Sequence, residues 1–361
     1  MAGRRNIYYW KSDRMFAQGN TRKTDIVAVD EIGRQVMDYL SVHFKKDPVG
    51  VVPAHGQGNH ITFVVQYMEG DYFVRLENGP EGDNYMAVES HLMTMVRDQG
   101  VPCPKIYLTD VSRAKVPFAI QVMERINYTD LNQHTMTGDL DTLTVIYDIG
   151  KYIACWQNIA PEGFGLFDVE KFINHGPLQA YHQRYADYFM LNLDNHVNFL
   201  VKERFLTLAQ GKRIWAAIKE HESLLELDSG CLVHKDLAFW NILGDAWKIA
   251  AFIDWDDAIS GDPVDDLSLL ACFHSGKDVS VAIEGYQEIN PLPNNFIPRF
   301  WLHLLRNMLF KAVIRVRGNY FEMPGDFFMN NGGSNHLRQF TLERIQSACA
   351  GLTNHHAILS L

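Results

Sequence analysis

Leu232-Val233-His234-Lys235-Asp236-Leu237-Ala238-Phe239-Trp240-Asn241-Ile242-Leu243, followed by Phe252-Ile253-Asp254-Trp255, is the stretch on which the reading of this chain turns. It has the form H-x-D-x-x-x-x-N, with a further Asp thirteen residues beyond the Asn. Apolar residues flank both pieces, as expected of short strands that hold an intervening loop rigid. The pattern brings two carboxylates and one carboxamide into a short span. A carboxylate can accept the proton of an attacking hydroxyl. An Asn oxygen and a second carboxylate are hard oxygen donors, which suit Mg²⁺ rather than zinc. Phosphoryl transfer from a nucleotide calls for this combination.

Working outward, the 361 residues suffice for about two lobes. Residues 1–24 read as a basic, aromatic N-terminal extension without the apolar stretch of a secretory signal. Thr24-Asp25 offers an N-cap before a helix over Ile26–Phe44. Val49–Val52, Ile61–Tyr67 and Tyr72–Leu76 read as strands, with Gly56-Gln57-Gly58 in the first turn and Glu69-Gly70-Asp71 in the second. A helix over Tyr85–Gln99 stops at Gly100, and Ile106–Thr109 and Phe118–Met123 read as two more strands. Residues 25–125 therefore predict a small antiparallel β lobe carrying one embedded helix. From residue 126 to 361 helical patterns dominate, at Leu140–Asn158, Leu178–Asn198, Lys202–Gln210, Arg213–Leu227, Pro263–Phe273, Phe300–Arg317 and His336–Cys349. The predicted class is α+β: a small sheet lobe followed by a larger, mainly helical lobe.

On these residues the chain resembles the aminoglycoside phosphotransferase and choline kinase-like family of the bilobal protein-kinase-like superfamily, over residues 26–320. The resemblance implies that Asp236 is the catalytic base and that His234 begins the catalytic loop. It implies Asn241 and Asp254 as Mg²⁺ ligands, with ATP or GTP as phosphoryl donor. Gly261-Asp262-Pro263-Val264-Asp265-Asp266-Leu267 resembles the family's G-D-P-x-x-D-L segment, with Asp266 at its structural Asp. In the small lobe it implies Gly56 and Gly58 at the phosphate-covering turn. Arg75 stands where Lys is more usual, Glu89 is its ion-pair partner, and backbone groups near Glu124 and Ile126 are at the adenine edge. Lys235 departs from the Gly usual in the small-molecule family, so the loop reads H-K-D-L, and Phe239-Trp240 is a bulky insert before Asn241. His234 itself reads as a scaffold that orients the loop.

The resemblance implies an ATP-dependent transferase acting on a hydroxyl of a small molecule. Alternatives are a protein kinase and a nucleotide-binding pseudokinase. Gly261 arrives seven residues after Asp254 and no A-P-E follows, which leaves little room for the activation segment of a protein kinase. Every catalytic position is filled, which argues against a pseudokinase.

Composition narrows the partners. Lys and Arg number 33 against 43 Asp and Glu, a net charge of −10. This excludes the basic footprint of general nucleic-acid binding. The deficit lies wholly after residue 125. Residues 236–270 hold eight acids and one base, with Asp256 and Asp257 at the expected substrate mouth. A cleft of one sign concentrates ligands of the other. The expectation is therefore a cationic acceptor, with aminoglycosides leading and amino alcohols, sugars and macrolides as alternatives. The basic residues Arg306, Lys311, Arg315 and Arg317 oppose it if their helix lines the pocket. No apolar run approaches a membrane span, and five scattered cysteines fit reduced thiols in a cytoplasm.

Overall fold

In the computed structural model, residues 4–14, 26–54, 60–77, 82–323 and 334–361 are described. The expected N-cap at Thr24-Asp25 and the turn glycines Gly56 and Gly58 lie outside them. Alternating apolar residues build the first sheet: β1 (Gly50–Pro53), β2 (Ile61–Tyr67), β3 (Gly70–Glu77), β4 (Ile106–Asp110) and β5 (Ala119–Glu124), ordered β1-β2-β3-β5-β4 and antiparallel throughout. Phe63, Val65 and Tyr67 of β2 are buried while their neighbours are half-exposed, the period-two signature of a half-covered strand.

Residues Trp10–Asp13 form a short helix, α1. Helices α2 (Ile26–Phe44) and α3 (Tyr85–Asp98) follow. Val36, Tyr39 and Leu40 of α2 close a small core with Phe63, Val65, Val74 and Leu76. The buried stripe of α3, Tyr85, Val88, Leu92, Met93 and Val96, belongs instead to the main core of the helical lobe. Helix α3 thus faces the Trp255–Asp257 turn, which carries it to the edge of the site.

The helical lobe contains two further sheets. In one, Ile242–Gly244 and Ile249–Phe252 form a hairpin joined by Thr129–Asp130. In the other, Ala180–His182, Phe164–Phe167, Ile259–Gly261 and Cys231–Val233 lie side by side. Helix Phe296–Arg317 runs through the centre and is buried on nearly every side. Its polar residues are partnered there: Arg299 with Asp262, Asn307 with Asp265, and Arg306 with the carbonyls of Phe189 and Leu191. Helices Thr142–Trp156 and Gly276–Gln287 cross at Gly150 and Gly285, where a Cβ would run into the partner backbone.

The stretch expected as one helix over Leu178–Asn198 is broken. Ala180–His182 pairs as a strand, Tyr185–Phe189 and Leu193–Lys202 are separate helices, and Asn192 between them has φ +55°. The helix expected over Lys202–Gln210 is interrupted at Arg204, φ +57°, and restarts at a Thr207/Gln210 capping box. All five cysteines are unpaired. Among the described residues no helix is long and apolar enough to cross a membrane.

Candidate active site

Asp266 fixes the loop. Buried at the start of helix Asp265–Leu270, its carboxylate accepts from the His234 and Lys235 backbone N–H groups at 2.8 and 3.0 Å and from Trp156 Nε1 at 3.1 Å. The Asp236 N–H donates to His234 Nδ1 at 3.3 Å, so the ring proton sits on Nε2 and donates to the Ile253 carbonyl at 3.0 Å. Burial lowers the His234 pKa, which keeps the ring neutral in this role. His234 thus ties the loop to the strand that leads into Asp254.

Lys235 turns away from the site. Its backbone has φ +69°, a left-handed conformation that favours glycine. Its Nζ is fully buried and donates to Asp265 at 2.6 Å, to the Tyr8 hydroxyl at 2.9 Å and to Asn307 Oδ1 at 3.0 Å. The departure H-K-D therefore serves the core. Phe239 packs on His274 at 4.5 Å and Trp240 on Phe273 at 5.0 Å, so the bulky insert lies against the helical lobe beneath the loop.

Asp236 and Asn241 meet directly. The Asn241 amide nitrogen donates to the Asp236 carbonyl at 2.8 Å and to Oδ2 at 3.1 Å, which leaves its side-chain oxygen as the atom able to donate to a cation. The Ile253 N–H bonds the Asn241 carbonyl at 3.0 Å, bringing Asp254 alongside. Asp254 adopts φ +67°, strain of the kind that persists at functional sites. Burial and then its neighbour Asp256 push its pKa up to about 6. A divalent cation would relieve that crowding. Among the described residues no cluster of three His, Cys, Asp or Glu could hold a metal. The Asp254–Asn241 pair suits Mg²⁺, which keeps waters and takes phosphate oxygens as its remaining ligands.

From the small lobe, β3 delivers Arg75 and α3 delivers Glu89, and the two form a buried ion pair. Arg75 Nη1 also lies 3.7 Å from Asp254 Oδ1, so it links the helix and strand to that carboxylate. Glu124 ends β5. Its N–H bonds the Lys105 carbonyl at 2.8 Å and its carboxylate accepts from the Lys105 N–H at 3.1 Å, while Ile126 follows in the chain leaving the sheet.

The expected substrate acids are placed differently from an open mouth. Asp257 is buried beneath the N-terminal segment and accepts the Trp10 N–H at 3.4 Å. Burial, then Asp256 and Asp236, raise its pKa well above the usual range. Asp256 lies 3.9 Å from His60 Nε2. Burial opposes its charge, but His60, Arg75 and Arg4 outweigh that and hold its pKa low. Asp262 is paired with Arg299 and His303, and Asp265 with Lys235. Much of the acidic surplus is thus consumed inside the lobe.

Residues 4–14 form a segment docked on the helical lobe, and they bring groups that the sequence reading did not place at the site. Lys11 Nζ lies 4.0 Å from Asp236 Oδ2, and Lys311 Nζ lies 3.7 Å from Oδ1. Burial alone would raise the Asp236 pKa; Lys11, Lys311 and the Tyr9 hydroxyl hold it below the usual range. Nothing local in the sequence connects Lys11 to Asp236. Lys311 was legible only as one residue of a basic helix.

This geometry accords with comparison to known proteins. The model of the phosphotransferase enzyme family matches residues 50–289, and the chain belongs to that family. Among solved structures it is similar to a thermostable mutant of aminoglycoside phosphotransferase APH(4)-Ia, at 14% identity and TM-score 0.61, covering 87% of this chain and 98% of that one. It is also similar to a putative fructosamine-3-kinase from Haemophilus somnus, at 14% identity and TM-score 0.56, over 86% and 97% of the two chains. Macrolide 2'-phosphotransferase MphH from Brachybacterium faecium shares 16% identity, TM-score 0.53, over 88% and 97%. At such identities the likeness establishes the shared α+β kinase-like fold. No curated protein sequence matches the chain.

Proposed function

We propose that this protein transfers the γ-phosphoryl group of ATP or GTP, carried with Mg²⁺, to a hydroxyl of a small molecule. The observation that carries this is the convergence of Asp236, Asn241 and Asp254 on one loop and hairpin, with Arg75 reaching Asp254 from the other lobe. Asp236, kept ionised, accepts the acceptor's proton as its oxygen attacks phosphorus. The bond from phosphorus to the β,γ-bridging oxygen breaks, and the nucleoside diphosphate leaves with that electron pair. Asn241 and Asp254 would hold the metal, which would supply neutralising charge to the phosphates. Arg75, steadied by Glu89, binds phosphate oxygens, and the Glu124 carbonyl and Ile126 N–H sit at the adenine edge. The likeness to a phosphotransferase solved with AMP-PNP and hygromycin B is consistent with this division of labour.

The acceptor expected from charge counts is an amine-bearing alcohol such as an aminoglycoside. The charges closest to the base favour another preference. Lys311 faces Asp236 from the helix Phe296–Arg317, and Asp257 is covered by the N-terminal segment. A neutral or anionic hydroxyl compound fits this surface better than a polycation. The test is nucleoside diphosphate release in a screen of sugars, hydroxy acids, amino alcohols, aminoglycosides and macrolides, with Asp236→Asn as control. Acceptor-dependent release lost in the variant is expected. A protein that binds no Mg²⁺-nucleotide contradicts the proposal, and a preference for polycations contradicts the acceptor assignment alone.

A further inference from the structure

We propose that Lys11, delivered by the N-terminal segment, is a catalytic residue that binds the phosphoryl group in transit between nucleotide and acceptor. This deepens the phosphotransfer reading above and rests on it.

The position is the first ground. If Asp236 takes the acceptor's proton and Asp254 holds the metal, the moving phosphorus must pass between them. Lys11 Nζ stands 4.0 Å from Asp236 Oδ2. Burial opposes its charge, while Asp236, Asp254, Asp257 and Asp256 all favour it, so it stands within the field of both the proposed base and the proposed metal ligand. Lys311 approaches the other carboxylate oxygen of Asp236, at 3.7 Å, from beside Phe273, Phe310 and Cys272.

Charge is the second ground. A triphosphate entering among four carboxylates needs cations on every side of the moving group, and the metal and Arg75 serve only the nucleotide side. The catalytic loop offers none on the transfer side. Lys235 is turned into the core, and the two residues after Asp236 are the buried, apolar Leu237 and Ala238. Among the described residues, Lys11 and Lys311 are the lysines within 4.0 Å of Asp236, and Asp254 acts on the charge of Lys11.

The third ground is rigidity, since a useful charge must be held before reaction. The segment is anchored as core. Tyr8 stacks on Tyr188 at 5.0 Å, lies under the Arg306 guanidinium at 3.5 Å and accepts from Lys235 through its hydroxyl at 2.9 Å. Asp13 accepts the Tyr8 N–H at 2.6 Å and pairs with His196 at 2.6 Å. Such burial suits a permanent wall of the site rather than a latch that swings away.

In the step proposed, the γ-phosphorus exchanges its bond to the bridging oxygen for one to the acceptor oxygen. The acceptor proton goes to Asp236, and Lys11 remains protonated throughout, binding the equatorial phosphoryl oxygens.

The test needs no acceptor. MgADP binding is measured by calorimetry with and without aluminium fluoride, which supplies a planar mimic of the phosphoryl in flight. Wild type should bind MgADP more tightly with fluoroaluminate. Lys11→Gln should lose at least about 10-fold of that tightening, a larger loss than any in its affinity for MgADP alone. Lys11→Arg should restore part of it. The Lys11 side chain is 40% exposed, so Lys11→Gln should still fold, which calorimetric melting checks, and its retained binding of MgADP separates charge from folding. Equal tightening in Lys11→Gln, or none in wild type that binds MgADP, overturns the inference and leaves the phosphotransfer reading standing. Wild type that binds no MgADP overturns both.

Discussion

Lys235→Ala should destabilise the protein severely while leaving the substrate-facing surface unaltered. The Lys235 ammonium is fully buried and donates to Asp265, the Tyr8 hydroxyl and Asn307 at 2.6, 2.9 and 3.0 Å. Truncation strands the Asp265 carboxylate without its cation, which costs about 3–5 kcal/mol for a buried pair broken on one side. Lys235→Gly should be less harmful by about 1 kcal/mol, because glycine tolerates a left-handed backbone without a Cβ penalty. Scaling the usual unfolding entropy to this chain length gives a fall of roughly 4–7 °C in Tm for the alanine variant. Calorimetric melting at fixed pH reads both numbers. The double variant Lys235→Ala/Asp265→Asn should recover part of the loss, since both charges are then gone. An alanine variant that melts with wild type, or that outlasts the glycine variant, refutes the assignment of Lys235 to the core.

Arg75→Ala should raise the nucleotide KM more than that of the acceptor, and Arg75→Lys should recover much of it, in steady-state kinetics with each substrate varied. Asp254→Ala should abolish Mg²⁺-nucleotide binding in calorimetry, with Asn241→Ala milder because one neutral oxygen is lost; the reverse order contradicts the metal assignment. Stability should also fall as pH drops from 6.5 towards about 4, because burial depresses the His274 pKa to about 4. The unfolded chain binds that proton near 6.5 and the folded chain resists it, so acid favours unfolding. His274→Leu should flatten the slope in urea titrations across that window.

The small lobe was legible because its strands alternate cleanly and its turns carry Gly and Asp; β2 and α2 fall where the periodicity puts them. The candidate site could be picked out because Asp236, Asn241 and Asp254 are close in the chain and the proposed chemistry needs their spacing. Short strands were not. Phe164–Phe167, Ala180–His182 and Ile259–Gly261 hold three or four residues each, below the length at which alternation registers, and they are stabilised by partners distant in sequence. Tyr181, Tyr185, Tyr188 and Phe189 recur at helical spacing, which hid the break before Tyr185. The docked segment gave one signal, the run Ile7-Tyr8-Tyr9-Trp10 in an otherwise polar stretch, but its destination is set by tertiary contacts with Tyr188, Phe310 and Lys235. The charge count treats carboxylates as free, whereas Asp262 and Asp265 are buried beside Arg299, His303 and Lys235.

The most direct measurement of the central claim compares wild type with Asp236→Asn in two assays on the same preparations, Mg²⁺-nucleotide affinity by calorimetry and nucleoside diphosphate release at saturating nucleotide. With Asp236 as the proton acceptor, the variant should bind nucleotide with an affinity within a few-fold of wild type. Its turnover should fall by at least about 10²-fold, the low end for loss of a positioned general base. A folded Asp236→Asn protein that turns over at the wild-type rate contradicts the account.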